Sequence, residues 1–145
     1  MFKTPTLTLN DGHKIPQLGL GVFLAEQGKT TQEAVCYALT HGYEHIDTAA
    51  AYHNEEDVGK GIKDAKVSRE NIFITTKLWN DDVRSSNTRK ALETSLKKLD
   101  LDYVDLYLIH WPAEGYVKAW QEMIKLKEEG LIKSIGVSNC ESPIT

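Results

Sequence analysis

Short apolar runs alternate with amphipathic helical segments along nearly the whole chain, and this alternation restricts the possible folds more than any other feature. The runs begin at Leu18, His45, Ile72, Tyr103 and Ile132, so they recur about every 25 to 32 residues, the spacing of βα units. They are short and bounded by turn residues, as buried strands are. The alternation predicts an α/β fold with a parallel sheet, either a barrel or a doubly wound sheet.

The predicted elements fill the chain in a regular order. The predicted strands are 18–22, HID ending at Asp47, 72–77, 103–109 and 132–137, and the predicted helices are one beginning at Thr30 and those over 54–63, 88–99 and 117–129. Thr30 opens the sequence TTQE, in which Glu33 completes a capping-box pattern at the start of the first helix. Ahead of the first strand, TLTLNDGHKI predicts a hairpin over residues 6–15, with its turn at Asp11 and Gly12.

The first strand decides against a dinucleotide-binding doubly wound sheet. Such a sheet calls for Gly-x-Gly-x-x-Gly directly after its first strand, at the start of a helix. Gly19 and Gly21 supply the first two glycines, but position 24 is Leu24 and no helical pattern begins there. The barrel is therefore the favoured architecture.

Composition describes an ordinary globular chain with a mildly acidic surface. The 145 residues are 41% hydrophobic and 26% charged, with a net charge of −4 and a pI near 5.7. One domain is expected at this length, and a surface of this charge disfavours nucleic acid and anionic membranes as partners. No run approaches the ~20 apolar residues of a membrane span, and the N-terminus lacks a signal-peptide pattern. Cys36 and Cys140 show no metal-ligand spacing, which predicts two reduced, largely buried thiols in a cytoplasmic protein and no metal site.

Polar side chains stand where the predicted strands end. The run LYLIHWP finishes on His110, while Asp47 ends the second strand, Lys77 ends the third, and Tyr52 follows five residues after Asp47. Each has an ordinary explanation by itself: a turn or cap aspartate, a solvated lysine, a hydrogen-bonded rim histidine, a packing tyrosine. In a βα barrel, however, the C-terminal strand ends meet at one face, and that face carries the chemistry. We therefore expect these four side chains to converge.

The four groups suit proton transfer to an oxygen that gains negative charge. Tyrosine is a weak acid, with a reference pKa of about 10, and a nearby ammonium favours its phenolate form. Lys77 would supply that ammonium and Asp47 would hold it in place, while His110 would orient a substrate oxygen. Because none of these groups donates hydride, the set fits carbonyl reduction only if a cofactor supplies the hydride.

At this point the sequence resembles the aldo-keto reductases. The segments GLGVF, HIDTAAAYHNEEDVG, FITTKLWN, DLYLIHWP and IKSIGVSN carry the resemblance, in that order, from about Leu9 to Asn139. Their detail is most similar to the bacterial branch of the family that includes 2,5-diketo-D-gluconate and glyoxal reductases. The resemblance implies a (β/α)8 barrel closed at its lower end by the N-terminal hairpin, and NADPH-dependent reduction of small aldehydes or ketones.

The resemblance also implies roles for individual residues. Asp47, Tyr52, Lys77 and His110 match the catalytic tetrad, with Tyr52 as the general acid. The positions that match the cofactor site are Gly21, Val22, Asp47, Ser138 and Asn139, the last two as partners of the nicotinamide carboxamide. Those that match the substrate pocket are Trp79, His110 and Trp111, although plain packing at the rim is an equal explanation for the two tryptophans.

The chain is shorter than the fold it resembles. A (β/α)8 barrel needs about 250 residues, or about 200 in small forms, whereas five strands are predicted here. We therefore expect residues 1–145 to form one reductase domain, truncated at its C-terminus, with the first five βα units and the hairpin. Exposed edges on the outermost strands would favour self-association. Two alternatives stay open: an inactive remnant that acts as a binding or assembly module, and an unrelated βα enzyme with a coincidental set of motifs.

Overall fold

The structure, a computed structural model, describes residues 3–141 as two sheets and five α-helices in one βα series. The strands are β1 Thr6–Thr8, β2 Lys14–Pro16, β3 Leu20–Gly21, β4 His45–Asp47, β5 Phe73–Leu78, β6 Val104–Ile109 and β7 Ile132–Val137. The helices are α1 Lys29–Thr40, α2 Glu55–Ala65, α3 Asn80–Arg84, α4 Thr88–Leu99 and α5 Tyr116–Glu128. Strands β1 and β2 form an antiparallel hairpin in which Leu7 pairs with Ile15, as the turn signal predicts.

The main sheet is parallel, with its five strands in the order of the chain, β3-β4-β5-β6-β7. Its register puts polar residues on one face. Asp47 pairs with Thr75, and Lys77 pairs with Leu108. Since alternate residues of a strand share a face, Asp47, Lys77 and His110 point to the same side of the sheet near its C-terminal edge.

The hydrophobic core lies between the other face of the sheet and the helices. Ile46, Ile74, Tyr107 and Ile109 are fully buried there. The helices pack closely because α2 carries small residues at its crossings: a Cβ on Gly59 would lie 2.6 Å from the Leu99 carbonyl oxygen of α4. The core thus holds one face of the sheet against the helices. The polar residues at the C-terminal edge lie outside this core.

Two local predictions were wrong, and one short helix was not predicted. Helix α1 begins at Lys29 with Gly28 at its N-cap position, and no side chain of a capping box is involved. The Gly28 N–H instead donates to the Asp57 carboxylate of α2 at 2.8 Å, so a distant carboxylate makes the bond to the N-cap amide that the capping-box pattern assigns to Glu33. No sequence pattern predicted the short helix α3. Cys140 was predicted to be largely buried, but it is exposed.

No helix within residues 3–141 is both long and apolar enough to cross a membrane. Within the same residues, no three His, Cys, Asp or Glu side chains gather into a group that could hold a metal ion.

Candidate active site

The ammonium of Lys77 is the centre of the polar cluster at the C-terminal edge of the sheet. Its Nζ donates to Asp47 Oδ1 at 2.5 Å and to the Thr48 carbonyl at 2.9 Å, and lies 3.5 Å from the Tyr52 hydroxyl. Lys77 is only 6% exposed, on a strand whose six residues are all buried. An ammonium in such a place needs oxygen partners to replace its hydration, and the edge of the sheet supplies three.

Tyr52 reaches this cluster from the turn that follows β4. Residues 50–52 form one turn of 3-10 helix, and the hydroxyl points toward Lys77 while the ring lies beside two aromatic groups. The Phe23 ring is 5.1 Å away between centroids, and the His110 ring is 5.7 Å away and nearly perpendicular. The phenol therefore has an ammonium near its hydroxyl and two aromatic rings beside its own ring.

His110 follows β6 and is held by the backbone of the sheet. Its N–H donates to the Leu78 carbonyl at 3.1 Å, and its carbonyl accepts from the Asn139 side chain at 2.9 Å. Burial lowers the pKa of the imidazole, and the positive charge of Lys77 lowers it further, against an opposing effect of Asp47. This shift favours the neutral ring, in which one nitrogen carries a proton. Its Nδ1 is buried and finds no partner among residues 3–141.

A cavity of about 460 Å³ opens directly over Tyr52 and His110. Its wall is lined by Phe23, Ala51, Tyr52, His53, Trp79, His110 and Trp111. The Trp79 ring stands edge-on to His110 at 5.3 Å, and Trp111 stacks beside it at 6.5 Å. The two predicted substrate-pocket tryptophans thus lie at the cavity beside His110.

Gly21 and Val22, which were predicted to bind a cofactor, lie at the same edge of the sheet. They differ in how closely a ligand could approach them. Gly21 pairs with Asp47, and the position of a Cβ there is open, with nothing within 4 Å. Val22 is 2% exposed; its N–H donates to the Asp47 carbonyl and its own carbonyl accepts from Asn54, so both polar backbone groups are already engaged. Of the pair, Gly21 alone has open space beside its Cα.

Ser138 and Asn139 follow β7 and are joined to the same edge. The Ser138 N–H donates to the Ile109 carbonyl at 2.9 Å, and the Asn139 amide donates to the Ser138 hydroxyl oxygen at 3.1 Å as well as to His110. Because the Ser138 oxygen accepts in this contact, its own O–H remains available to a ligand. The roles predicted for both residues stay predictions.

Sequence reasoning missed the part that Phe23, Ala51 and His53 play in lining the cavity. Phe23 comes two residues after the end of β3, close to the strand-end positions that identified Lys77 and His110 elsewhere. The same rule, applied to the apolar residue after the first strand, would have found it.

Comparison with known proteins identifies the class. Residues 17–144 match the profile of the aldo/keto reductase family. The chain belongs to that family.

Individual relatives agree with this assignment. The methylglyoxal reductase DkgA of Yersinia pestis is 58% identical over 99% of this chain and 52% of its own length, and that of Escherichia coli K12 is 56% identical over 96% and 50%. The glyoxal reductase of Bacillus subtilis is 50% identical over 92% and 49%. The chain therefore spans about half the length of the curated relatives it matches.

Solved structures give the same fold. A Brucella melitensis aldo/keto reductase superimposes with a TM-score of 0.91 at 54% identity, over 97% of this chain and 56% of its own. The Bombyx mori aldo-keto reductase in complex with NADP superimposes with a TM-score of 0.86 at 44% identity, over 96% and 52%. The prediction of a partial (β/α)8-type barrel, with five βα strands and a hairpin, is confirmed.

Proposed function

We propose that this chain carries the catalytic edge of a cytoplasmic NADPH-dependent reductase, which converts a small aldehyde or ketone to an alcohol with Tyr52 as the general acid. The contact between the Tyr52 hydroxyl and Lys77 Nζ, 3.5 Å apart beneath a 460 Å³ cavity, is the observation that carries the proposal. Family membership and the names of the methylglyoxal and glyoxal reductases support carbonyl reduction.

The proton in this reaction comes from the tyrosine. The Tyr52 O–H bond breaks as its proton passes to the carbonyl oxygen, which becomes the alcohol oxygen. The phenolate left behind lies next to the Lys77 ammonium, whose charge stabilises it. Asp47, paired with Lys77 at 2.5 Å, holds that ammonium in position within a buried strand.

His110 and the aromatic wall orient the substrate. A neutral imidazole can donate one hydrogen bond to the carbonyl oxygen without competing with Tyr52 for the proton. The burial and the Lys77 charge that lower the His110 pKa favour this neutral form. Trp79 and Trp111 are flat, partly apolar walls, suited to exclude water from a small carbonyl compound.

The residues at this edge suit the nicotinamide end of a dinucleotide. Gly21 leaves open space where a Cβ would stand, so a flat ring can approach the backbone beside Asp47. The Ser138 hydroxyl and Asn139 side chain offer hydrogen-bonding groups on the opposite side of His110. When bound, NADPH supplies the hydride that none of these side chains can give.

The test follows NADPH absorbance with methylglyoxal as substrate. Wild type is expected to consume NADPH, and Tyr52→Phe is expected to lose about 10²- to 10⁴-fold in rate, the usual contribution of a general acid. Tyr37→Phe, which removes the same hydroxyl from a 64% exposed tyrosine of α1, is the matched control and should retain the full rate. A folded wild-type chain no faster than Tyr52→Phe would contradict the proposal.

A second candidate function is a binding or assembly module without turnover. It is favoured by β3 and β7, each of which has a single strand neighbour within residues 3–141 and so offers unpaired backbone groups to another chain. Size-exclusion chromatography, run beside the NADPH assay, separates the two candidates. Association with another chain without turnover would select the module.

A further inference from the structure

Asn54 occupies a position where asparagine usually caps a helix, yet it does not cap one. It is the N-cap residue of α2, and its side chain makes no capping hydrogen bond. Instead its Nδ2 donates to the Val22 carbonyl at 3.0 Å, and its Oδ1 accepts from the Thr48 hydroxyl at 2.8 Å. The residue is 1% exposed. An N-cap asparagine normally accepts a hydrogen bond from an amide in the first turn of its helix. The Asn54 side chain instead bonds to residues that follow two strands.

Both partners of Asn54 adjoin the candidate active site. Thr48 follows Asp47, and its carbonyl accepts from Lys77 Nζ at 2.9 Å. Val22 donates its N–H to the Asp47 carbonyl at 3.1 Å. The Asn54 amide thus contacts a residue bonded to Lys77 and a residue bonded to Asp47, without touching either charged side chain.

The backbone next to Asn54 needs such an anchor. His53, which lies between Tyr52 and Asn54, has φ 56, in the left-handed region that residues other than glycine rarely adopt. A strained conformation of this kind persists only where the surrounding contacts impose it. The buried contacts of Asn54 begin one residue later, so they hold the turn that presents Tyr52.

The following residue makes a parallel connection. The Glu55 carboxylate accepts from the Thr76 hydroxyl at 2.6 Å and from the Ser95 hydroxyl at 3.0 Å, and Glu55 is 2% exposed. Thr76 immediately precedes Lys77. Two consecutive residues therefore fasten the start of α2 to the residue after Asp47 and to the residue before Lys77.

We propose that Asn54 is a positioning residue, which sets the placement of the Tyr52 hydroxyl relative to Lys77 through its bonds to Val22 and Thr48. The inference deepens the proposed function and rests on it for the importance of Tyr52. The placement itself can be measured without turnover, so the two proposals fail independently.

The experiment uses ¹⁹F NMR of the 145-residue chain labelled with 3-fluorotyrosine, in which the loss of one resonance in Tyr52→Phe assigns Tyr52. In wild type, Lys77→Met should move this resonance because the ammonium lies 3.5 Å from the hydroxyl. In an Asn54→Ala background, the same Lys77→Met change should move it far less. The loss of this Lys77-dependent shift is the readout.

A destabilised variant with an intact anchor is the control. Val58→Ala truncates a fully buried side chain on the same helix and leaves the Asn54 bonds in place. It should lower the melting temperature and keep the full Lys77-dependent shift, which separates positioning from general loss of stability.

A milder variant covers the case in which Asn54→Ala does not fold. Thr48→Val has nearly the same shape and removes only the hydroxyl that donates to Asn54, so it should reduce the Lys77-dependent shift in part. A full shift in Thr48→Val, or in folded Asn54→Ala, would overturn the proposal. NADPH turnover by the unmodified chain is recorded separately, and its absence would count against the proposed function while the NMR result still decides the role of Asn54.

Discussion

Replacement of Lys77 by methionine tests the central ion pair of the site. Lys77 is 6% exposed, and its Nζ lies near the oxygens of Asp47, Thr48 and Tyr52, at 2.5, 2.9 and 3.5 Å. Methionine keeps an unbranched chain of similar length, so the change removes the ammonium with little change in packing. The Asp47 carboxylate then loses its partner.

The expected cost follows from the burial of the two partners. Breaking a buried ion pair by removing one member costs about 3–5 kcal/mol. The Asp47 side chain is 33% exposed, so water recovers part of its hydration, and we expect Lys77→Met to lower the free energy of unfolding by about 2–3 kcal/mol. Asp47→Asn should cost a similar amount, since it leaves the more deeply buried ammonium with neutral partners only.

The double variant is the decisive measurement. Asp47→Asn with Lys77→Met removes both charges, so its cost should fall short of the sum of the single costs by about 1–2 kcal/mol. Urea denaturation followed by circular dichroism at pH 7 gives these free energies. Lys118→Met, the same change at an exposed lysine of α5, is the control and should stay within about 0.5 kcal/mol of wild type.

Additive costs would refute the reasoning. If the double variant loses the sum of the single losses to within about 0.5 kcal/mol, the two charges do not interact in solution. The contact at 2.5 Å would then have no energetic consequence, and the support that Asp47 gives to Lys77 in the proposed reaction would be lost.

Two further predictions concern a buried carboxyl and the edges of the sheet. Burial raises the pKa of Glu55, against the hydrogen bonds from Thr76 and Ser95, so the folded state binds this proton more tightly than the unfolded state. Wild type should therefore lose stability relative to Glu55→Gln as pH rises from about 4 toward 7, by at most about 1.4 kcal/mol per pH unit; a constant difference in urea denaturation across that range would contradict this. On β7, Val137 is 50% exposed, and we expect self-association through this edge, which a lysine disfavours. In size-exclusion chromatography, wild type should elute at an apparent mass above the 16.3 kDa of one chain, and Val137→Lys should elute closer to that mass. A compact wild-type monomer that melts cooperatively would contradict this prediction.

The order and type of the main elements could be predicted because their signals are local. The run IFITTK is β-rich over its whole length, and the leucines at 92, 96 and 99 repeat with the period of a helix; both became elements where expected, β5 and α4. The start of α1 could not be predicted in this way. Its N-terminal amide is satisfied by Asp57, 29 residues further along the chain, and no local pattern encodes that contact.

The residues of the site also differ in whether a local pattern could predict their contacts. Asp47, Lys77 and His110 were predicted to meet because parallel strands end at one edge of a sheet, and a strand-end position can be seen in the sequence. Asn54 was not singled out, since an asparagine before a helix ordinarily reads as a cap. Its actual partners, Val22 and Thr48, lie on two other segments.

By itself, the sequence determined the βα alternation, the hairpin, and the polar residue at the end of each central strand, because periodicity and turn chemistry act over a few neighbouring positions. The tertiary structure decided the distances that give those residues chemical meaning: Tyr52 within reach of Lys77, His110 buried with a lowered pKa, and Asn54 diverted from its helix to two strand ends. Each of these depends on strands whose register brings together residues about 25 to 32 positions apart, and hydrogen bonds and burial arise only once that register is formed.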